Sequence, residues 1–439
     1  MMPSVAIRAR VRPLERSGAS SLLGILLFFA AVAPGAATPW SGKEVVEGGV
    51  TQVKNPATPM EKPLVLTLDK QWRIGGESEG EGEFFGLITD IALHPKGDVY
   101  LVDAQLSEVK VFSKEGKYLR TIGREGEGPG EFRRPTRLFF DPEGNLGVVQ
   151  TQPSRVVMFK PDGTPGTPFP LKNPEDGGFR MLMSASYRGG SLVVQGNNFS
   201  HKEGSIERTS ALVRLDRQGN EVARFHQMAS TSNMARLVLK EDEFGVPWTV
   251  GPQGDVYASL DRTWKLNVWS QDGKLQRIIE LEYQPVMRTA AEIEKRKKEM
   301  SSQIQIRTGA GRVEPEFDIS DRERDIRWFA VADDGNLWVL SSRGCRDLPP
   351  GTLGHFDVFD PQGRYLQRVT LKGDGDFEED RFVLAGDRFF VVKEFAAAMR
   401  AMAGKEGGQT EDDSAAVPMS VLCYRLQWGP AKGVAASTR

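Results

Sequence analysis

The sequence contains few of the residues that build disulfide frameworks and metal centres. Its 439 residues include only 2 Cys and 4 His, which is too few for a disulfide-stapled scaffold or a His-rich metal site. Lys and Arg number 57 against 59 Asp and Glu, a formal net charge of −2. Nucleic-acid surfaces usually show a basic excess, so we expect no nucleic-acid partner.

Local catalytic and cofactor motifs are also missing. The chain has no H-E-x-x-H, no C-x-x-C and no G-x-S-x-G. The glycine-rich run 123–132 lacks the G-K-[ST] ending of a phosphate loop and leads into a strand. We therefore expect no cofactor. Calcium stays an open alternative at GDGDFEED (373–380), which resembles a calcium loop without its ligand spacing, and a solvated turn is the other interpretation.

No apolar run reaches the roughly 20 residues of a bilayer span. Four arginines between Arg8 and Arg16 precede an apolar run from Leu22 to Ala33, and small residues follow. This pattern predicts a signal peptide over 1–37, with an uncleaved anchor as the alternative. We expect an exported protein, periplasmic or extracellular, that keeps no integral membrane segment after cleavage. In that setting Cys345 and Cys423 could pair, although sequence alone leaves their separation open.

An internal repeat decides the fold. Residues 72–84 (WRIGGESEGEGEF) match 120–132 (RTIGREGEGPGEF) at an offset of 48, so that Gly75 corresponds to Gly123 and Phe84 to Phe132. Short strands of alternating polarity recur between such segments, and tight turns with Gly separate them. A period near 50 that is filled with short strands is typical of a β-propeller.

The strand pattern recurs six times between residues 63 and 428. In the sixth copy the final strand–turn–strand element, at 420–428, supplies only its first strand, and the segment from Leu64 to Ile74 aligns with the missing last strand. We predict an all-β six-bladed propeller that this N-terminal segment closes in the last blade. Residues 38–62 are expected to be a flexible linker, and 429–439 a C-terminal tail.

The pattern G-x-G-x-G-E-F, followed by a strand, a Gly turn and a second hairpin, resembles the NHL-repeat propellers, especially the bacterial six-bladed ones. The resemblance covers about residues 63–428 and is best in the first two blades. It implies the fold well and the function poorly, because this scaffold hosts many roles.

Excess length is expected on one face of the propeller. Connections alternate between faces, and the long ones (196–210, 284–325, 342–354 and 395–418) all fall in one set. The largest should begin as a helix between blades four and five, since Thr289 and Glu292 form a capping box and Ile293, Met300 and Ile304 share a stripe. This helix is interpreted as a cover for apolar surface or as a lid or partner-binding arm.

Long loops on a rigid scaffold are where binding usually resides. Several arginines near one mouth would suit a carboxylate, a phosphate or a peptide, and the alternative is that they are solvated charges. The candidate ligand-binding residues are Arg124, Glu127, Arg133, Arg155, Arg262, Trp264, Arg343 and Arg346.

Two functions remain open from the sequence. The first is a binding or scaffold propeller, expected to be a monomer, that recognises a protein, peptide or glycan through its long-loop face. The second is a propeller-type lyase or hydrolase with an axial divalent cation, since such sites draw single residues from several blades.

Overall fold

The computed structural model describes residues 39–428, except 79, 203, 235, 304–305, 309–310, 314 and 408–417. The predicted signal peptide and C-terminal tail therefore lie outside the described residues. The described part is a six-bladed β-propeller, as the repeat predicts. In each blade the chain runs from the innermost strand outward.

Four strands precede the first complete blade, and they serve three different blades. Their bounds are β1 (Lys43–Glu47), β2 (Val50–Asn55), β3 (Leu64–Thr67) and β4 (Asp69–Gly75).

Blades one to three follow in chain order, with a short parallel pair, β9 and β10, in the loop between the first two. Their strands are β5 (Ile88–Leu93), β6 (Val99–Asp103), β7 (Glu108–Phe112), β8 (Tyr118–Ile122), β9 (Arg124–Glu125), β10 (Glu131–Phe132), β11 (Pro135–Phe140), β12 (Leu146–Gln150), β13 (Arg155–Phe159), β14 (Met181–Arg188), β15 (Ser191–Lys202), β16 (Ser205–Leu215) and β17 (Glu221–Asn233). Short 3-10 helices lie at Pro174–Asp176 and Glu241–Phe244.

Blades four to six carry the two α-helices of the described chain. The elements are β18 (Val238–Lys240), β19 (Trp248–Val250), β20 (Val256–Ala258), β21 (Lys265–Trp269), β22 (Leu275–Leu281), α1 (Ala290–Gln303), β23 (Ile306–Thr308), β24 (Gly311–Val313), β25 (Glu316–Asp318), β26 (Ile326–Val331), β27 (Leu337–Ser341), β28 (Thr352–Phe359), β29 (Tyr365–Lys372), β30 (Arg381–Ala385), β31 (Arg388–Lys393), α2 (Phe395–Gly407) and β32 (Ser420–Arg425).

The ring closes through the N-terminal segment, as predicted. Strand β4 pairs antiparallel with β32, placing Ile74 opposite Val421 and Trp72 opposite Cys423. The closing strand is shorter than expected, because only β4 belongs to blade six. The preceding strand β3 pairs parallel with β29 at the outer edge of blade five. One segment thus covers the open edges of two neighbouring blades, and such edges otherwise invite aggregation.

The expected linker 38–62 is partly ordered, which corrects the prediction. Strands β1 and β2 form a hairpin, and β2 adds parallel to the outer strand β22 of blade four. Buried Asn55 holds the hairpin between two blades: its amide donates to the carbonyls of Glu280 (3.0 Å) and Gly363 (2.9 Å), and its oxygen accepts from the Tyr365 amide (2.7 Å). Satisfied buried amide bonds of this kind fix the position of a segment.

The core consists of separate apolar clusters between neighbouring blades. Between blades six and one, Ile74 and Phe390 pack with Ile88 and Phe112. A second apolar cluster of the same kind lies between blades one and two. Because both faces of each sheet are covered, most second strands of the blades are continuous buried runs, such as Val99–Asp103.

The repeated glycines have the geometric role expected of them, with one shift. Gly75 and Gly123 both have positive φ, 76° and 78°, and an aromatic ring packs directly against each Cα. At Gly123 this ring is Phe132, but at Gly75 it is Phe85. Phe84, which the sequence aligns with Phe132, is 73% exposed, so the structural match is displaced by one residue.

The two propeller faces differ in connection length as predicted. Connections between first and second strands and between third and fourth strands are short turns, whereas the others carry the excess. The segment 196–210 is not a loop, however: β15 and β16 pair continuously from Leu192–Leu215 to Lys202–Ser205. With β17 they form a long three-stranded ribbon, because the strands continue past the length of the other blades.

The helical insertion between blades four and five is confirmed. The capping box forms, with the Thr289 amide donating to Glu292 (2.7 Å) and the Glu292 amide donating to the Thr289 hydroxyl (3.3 Å). Ile293 and Met300 pack against Phe317 within the insertion itself; Ile304 lies outside the described residues. The helix therefore has its own small core.

Cys345 and Cys423 are free thiols and do not form the disulfide considered from the sequence. Cys423 is buried in the cluster between blades six and one, whereas Cys345 packs against the cluster between blades five and six. The sheet of blade six separates these two clusters.

Candidate functional site

The main cavity described on the long-loop face has a volume of about 630 Å³. It lies between α1, the loop 342–351 of blade five and the loop 375–378 before blade six. More than half of its lining residues are charged, and both signs are present. Apolar walls are more usual for small-molecule pockets, so this cavity suits a charged or strongly polar group.

Glu241 anchors the insertion beneath this cavity. Its carboxylate accepts hydrogen bonds from Arg262 (2.7 Å), Arg288 (2.7 Å) and Arg296 (3.0 Å), and its side chain is 10% exposed. Burial alone would raise the pKa of Glu241, but the hydrogen bonds and charges of Arg288 and Arg262 outweigh it and lower the pKa to about 2. The group therefore stays ionised and ties α1 to blade four.

A second network spans the cavity wall from α1 to blade six. Arg346 bridges Glu292 (2.8 Å) and Glu323 (2.7 Å). Glu323 also lies 3.8 Å from Arg327, which pairs with Glu378 at 3.1 Å. Because the lining charges hold one another, they keep their positions without a ligand, which reduces the ordering cost of binding.

The thiol in the wall is not an activated nucleophile. Burial raises the pKa of Cys345 to about 11, and the nearby Arg327 charge offsets this only in part. A reactive cysteine needs a lowered pKa, since the thiolate is the nucleophile.

Of the residues singled out from the sequence, Arg346 lines the main cavity. Arg343 is nearby: it donates to the Gln284 carbonyl at 2.7 Å and lines a smaller cavity of about 270 Å³ with Arg346. Arg262 lies beneath the site in the Glu241 network.

The other candidates are placed elsewhere. Arg124 pairs with Glu131 at 2.7 Å and is 78% exposed, and Glu127 pairs with Arg133 at 3.1 Å, also exposed. These are solvated ion pairs in the loop between blades one and two. Trp264 is a core residue, 3% exposed, whose ring lies 5.0 Å from that of Phe359.

Arg155 begins β13 in blade two and is half-buried. It lines none of the three described cavities.

In the acidic run 373–380, the carboxylates of Asp374 and Asp380 already pair with groups of the chain itself. Asp380 accepts from the Glu394 amide and pairs with Lys393 at 2.8 Å, and Lys393 also lies 3.3 Å from Asp374. Within the described residues, no group of three or more His, Cys, Asp or Glu side chains is arranged to hold a metal ion.

Several cavity residues were missed by the sequence reasoning, chiefly Glu241, Glu323, Arg327 and Glu378. A usable signal was the dense mixture of charges in SDRERDIR (320–327) directly before an inner strand. Such density next to a buried strand predicts paired rather than solvated charges.

Comparisons with known proteins agree with this architecture. Residues 83–237 match the family DUF5128, described as "6-bladed beta-propeller", over less than half of the chain. No curated protein sequence matches the chain. Among the residues that the structure describes, no helix is long and apolar enough to cross a membrane.

Several solved structures resemble this chain at low sequence identity. A Bacteroides fragilis protein named for its suspected export is 12% identical, with 85% of this chain and 100% of that chain covered and a TM-score of 0.46. A gluconolactonase from Xanthomonas campestris is 10% identical, with 81% and 98% covered and a TM-score of 0.39. A PQQ-bound aldose sugar dehydrogenase from Streptomyces coelicolor is 12% identical, with 82% and 97% covered and a TM-score of 0.40.

Proposed function

We propose that this chain is an exported binding or scaffold propeller, periplasmic or extracellular, that engages a charged protein or peptide segment through its long-loop face. The supporting observation is the cavity beside α1, whose charged walls are already positioned by ion pairs with one another. A rigid polar cavity with both signs of charge selects a ligand with a complementary charge pattern.

A peptide or protein segment fits this chemistry better than a neutral glycan does. Side-chain carboxylates and ammonium groups can replace individual partners in the networks around Arg346 and Arg327. Phe377 is the aromatic residue in the cavity lining, where it lies 5.4 Å below the Arg327 guanidinium. Its face is therefore already shared with a cation.

The experiment uses the purified protein, immobilised, to capture partners from an envelope extract. Two charge reversals change exposed cavity residues and leave the Glu241 anchor intact: Lys295→Glu (73% exposed) and Glu378→Lys (55% exposed). Arg124→Glu is the matched control, since it reverses an exposed charge on the same face outside the cavity.

Each cavity reversal should weaken capture of the same partner by about tenfold, since it converts an attraction of roughly 0.7 kcal/mol into a comparable repulsion, a change of about 1.4 kcal/mol. The control should capture like the wild type, and added salt should weaken all binding. Equal capture by all four proteins, or capture that free glycans but no peptides displace, would refute this assignment.

A further inference from the structure

We infer that the propeller axis holds a second, separate site for a small oxyanion, a carboxylate or phosphate group, between Arg381 and Arg137. Six inner strands surround the axis: β5, β11, β14, β19, β26 and β30. Arg381 begins β30 in blade six, and Arg137 lies on β11 in blade two. Neither residue lines the charged cavity, so this site is independent of the proposed function.

Positive charge exceeds negative charge at this point of the axis. Asp90, on β5 of blade one, is the carboxylate beside Arg137, and its negative charge also acts on Arg381. One of its oxygens accepts from the Leu138 amide at 2.9 Å, and the other lies 3.9 Å from Arg137. Two arginines therefore share one carboxylate that is already engaged, which leaves a net charge of one cation.

Among the described residues, the Arg381 guanidinium has no hydrogen-bond acceptor. Within the described chain its recorded contact is the ring of Phe395, whose centroid lies 5.2 Å from the guanidinium carbon. The carboxylates beside it in the sequence have other partners: Asp380 pairs with Lys393 at 2.8 Å and Glu379 with Arg400 at 3.0 Å. None of its five N–H donors therefore meets an anion among the described residues.

Arg137, by contrast, is held in place. Its Nε donates to the Ser184 hydroxyl at 3.3 Å and its Nη1 to the Thr89 carbonyl at 3.3 Å. These bonds come from the inner strands of blades three and one, so three blades fix this guanidinium. Rigid donors of this kind form preorganised anion sites.

Backbone irregularities explain why polar groups reach the axis here. The first strands of blades one, two and three each have a register shift near their long-loop end, directly before Asp90, Arg137 and Ser184. β-Bulges re-aim the residues beside them and are common near functional sites. The three residues occupy the same place in successive blades, and Arg137 contacts both of the others.

The environment of Arg381 supports the assignment. Burial, reinforced by the Arg137 charge, lowers the pKa of Arg381 to about 9, and Asp90 opposes this only in part. The guanidinium remains a cation at neutral pH, but its charge is poorly compensated. A bound oxyanion would compensate it. The helix α2 begins with Phe395, whose ring faces the Arg381 guanidinium, and it also contacts α1.

The test measures thermal unfolding of the full-length protein in sodium phosphate, sodium acetate and sodium chloride at matched ionic strength. We expect a saturable rise in the unfolding midpoint with phosphate, acetate or both, beyond that of chloride. A response to phosphate alone would identify a phosphate group, and a response to acetate would identify a carboxylate. An equal response to all three salts would overturn the proposal.

The variant Arg381→Met separates a ligand site from a structural role. It should weaken the anion response by about tenfold or more, since charge-assisted hydrogen bonds are lost. In chloride its midpoint should equal or exceed that of the wild type, because an uncompensated cation is removed. The control Arg124→Met should keep the full response. A lower midpoint in chloride with an unchanged anion response would mean that Arg381 is only structural.

Discussion

Replacing Glu241 with Gln should loosen the helical insertion from the propeller. The neutral amide keeps the size of the side chain but leaves Arg262, Arg288 and Arg296 without their common counter-charge in a site that is only 10% exposed. Removing one partner of a buried ion pair is costly, since the remaining charges stay desolvated.

The magnitude follows from the pKa of Glu241, which falls from 4.5 to about 2 in the folded protein. A difference of about 2.5 pKa units corresponds to about 3 kcal/mol of stability at neutral pH. Because the folded-state pKa is depressed, this contribution is complete above about pH 4.5 and disappears as the pH falls toward 2. The difference between wild type and E241Q should therefore shrink over that acid range.

The assay combines urea unfolding followed by tryptophan fluorescence with limited proteolysis. E241Q should lower the free energy of unfolding by about 3 kcal/mol, and cleavage within 285–325 should accelerate most. The control is Glu143→Gln, which breaks an equally short but exposed pair with Arg217 and should behave like the wild type. If E241Q matched the wild type at pH 7, or if its deficit persisted unchanged at pH 2.5, the reasoning would be wrong.

Three further outcomes are expected. Ile74→Ala should destabilise the protein by about 2–5 kcal/mol in chemical unfolding, because Ile74 is 2% exposed in the closing strand. Val65 is 63% exposed on β3, so Val65→Ala should change the stability little, and equal effects of the two variants would place the closure elsewhere. Cys345 and Cys423 should react slowly with a thiol reagent at pH 8 in the native protein and rapidly in urea, since burial raises both pKa values to about 11; rapid native reaction of either would contradict the packing. Trp264→Phe should leave partner capture unchanged in the pull-down, because Trp264 packs in the core; a loss of capture at unchanged stability would make it a ligand contact.

The repeat was enough to predict the ring and its closure. Matching segments lie 48 residues apart, and the final blade lacks its last strand. These two observations together predict that the N-terminal segment supplies that strand. The hairpin β1–β2 was not predictable in the same way. Its position depends on Asn55, whose three buried hydrogen bonds join residues distant in the sequence.

The site was less accessible from the sequence, for two physical reasons. An arginine in a loop looks the same in the sequence whether it is solvated, as Arg124 is, or buried against a carboxylate, as Arg262 is. The axial residues Asp90, Arg137 and Arg381 come from three blades, so no local motif unites them. The 48-residue offset of the sequence repeat pairs Asp90 with Leu138, so a comparison across the repeats would also have missed the equivalence of Asp90 and Arg137.

Hydrogen exchange of the closing strand tests the central claim most directly, because the assignment of loops to one face depends on closure by residues 69–75. Amides of Asp69–Gly75 that pair with β32 should exchange as slowly as those of Arg388–Lys393 in the middle of blade six, since both leave the sheet only when the blade opens. Rapid exchange of residues 69–75 while the rest of blade six stays protected would contradict the closed ring.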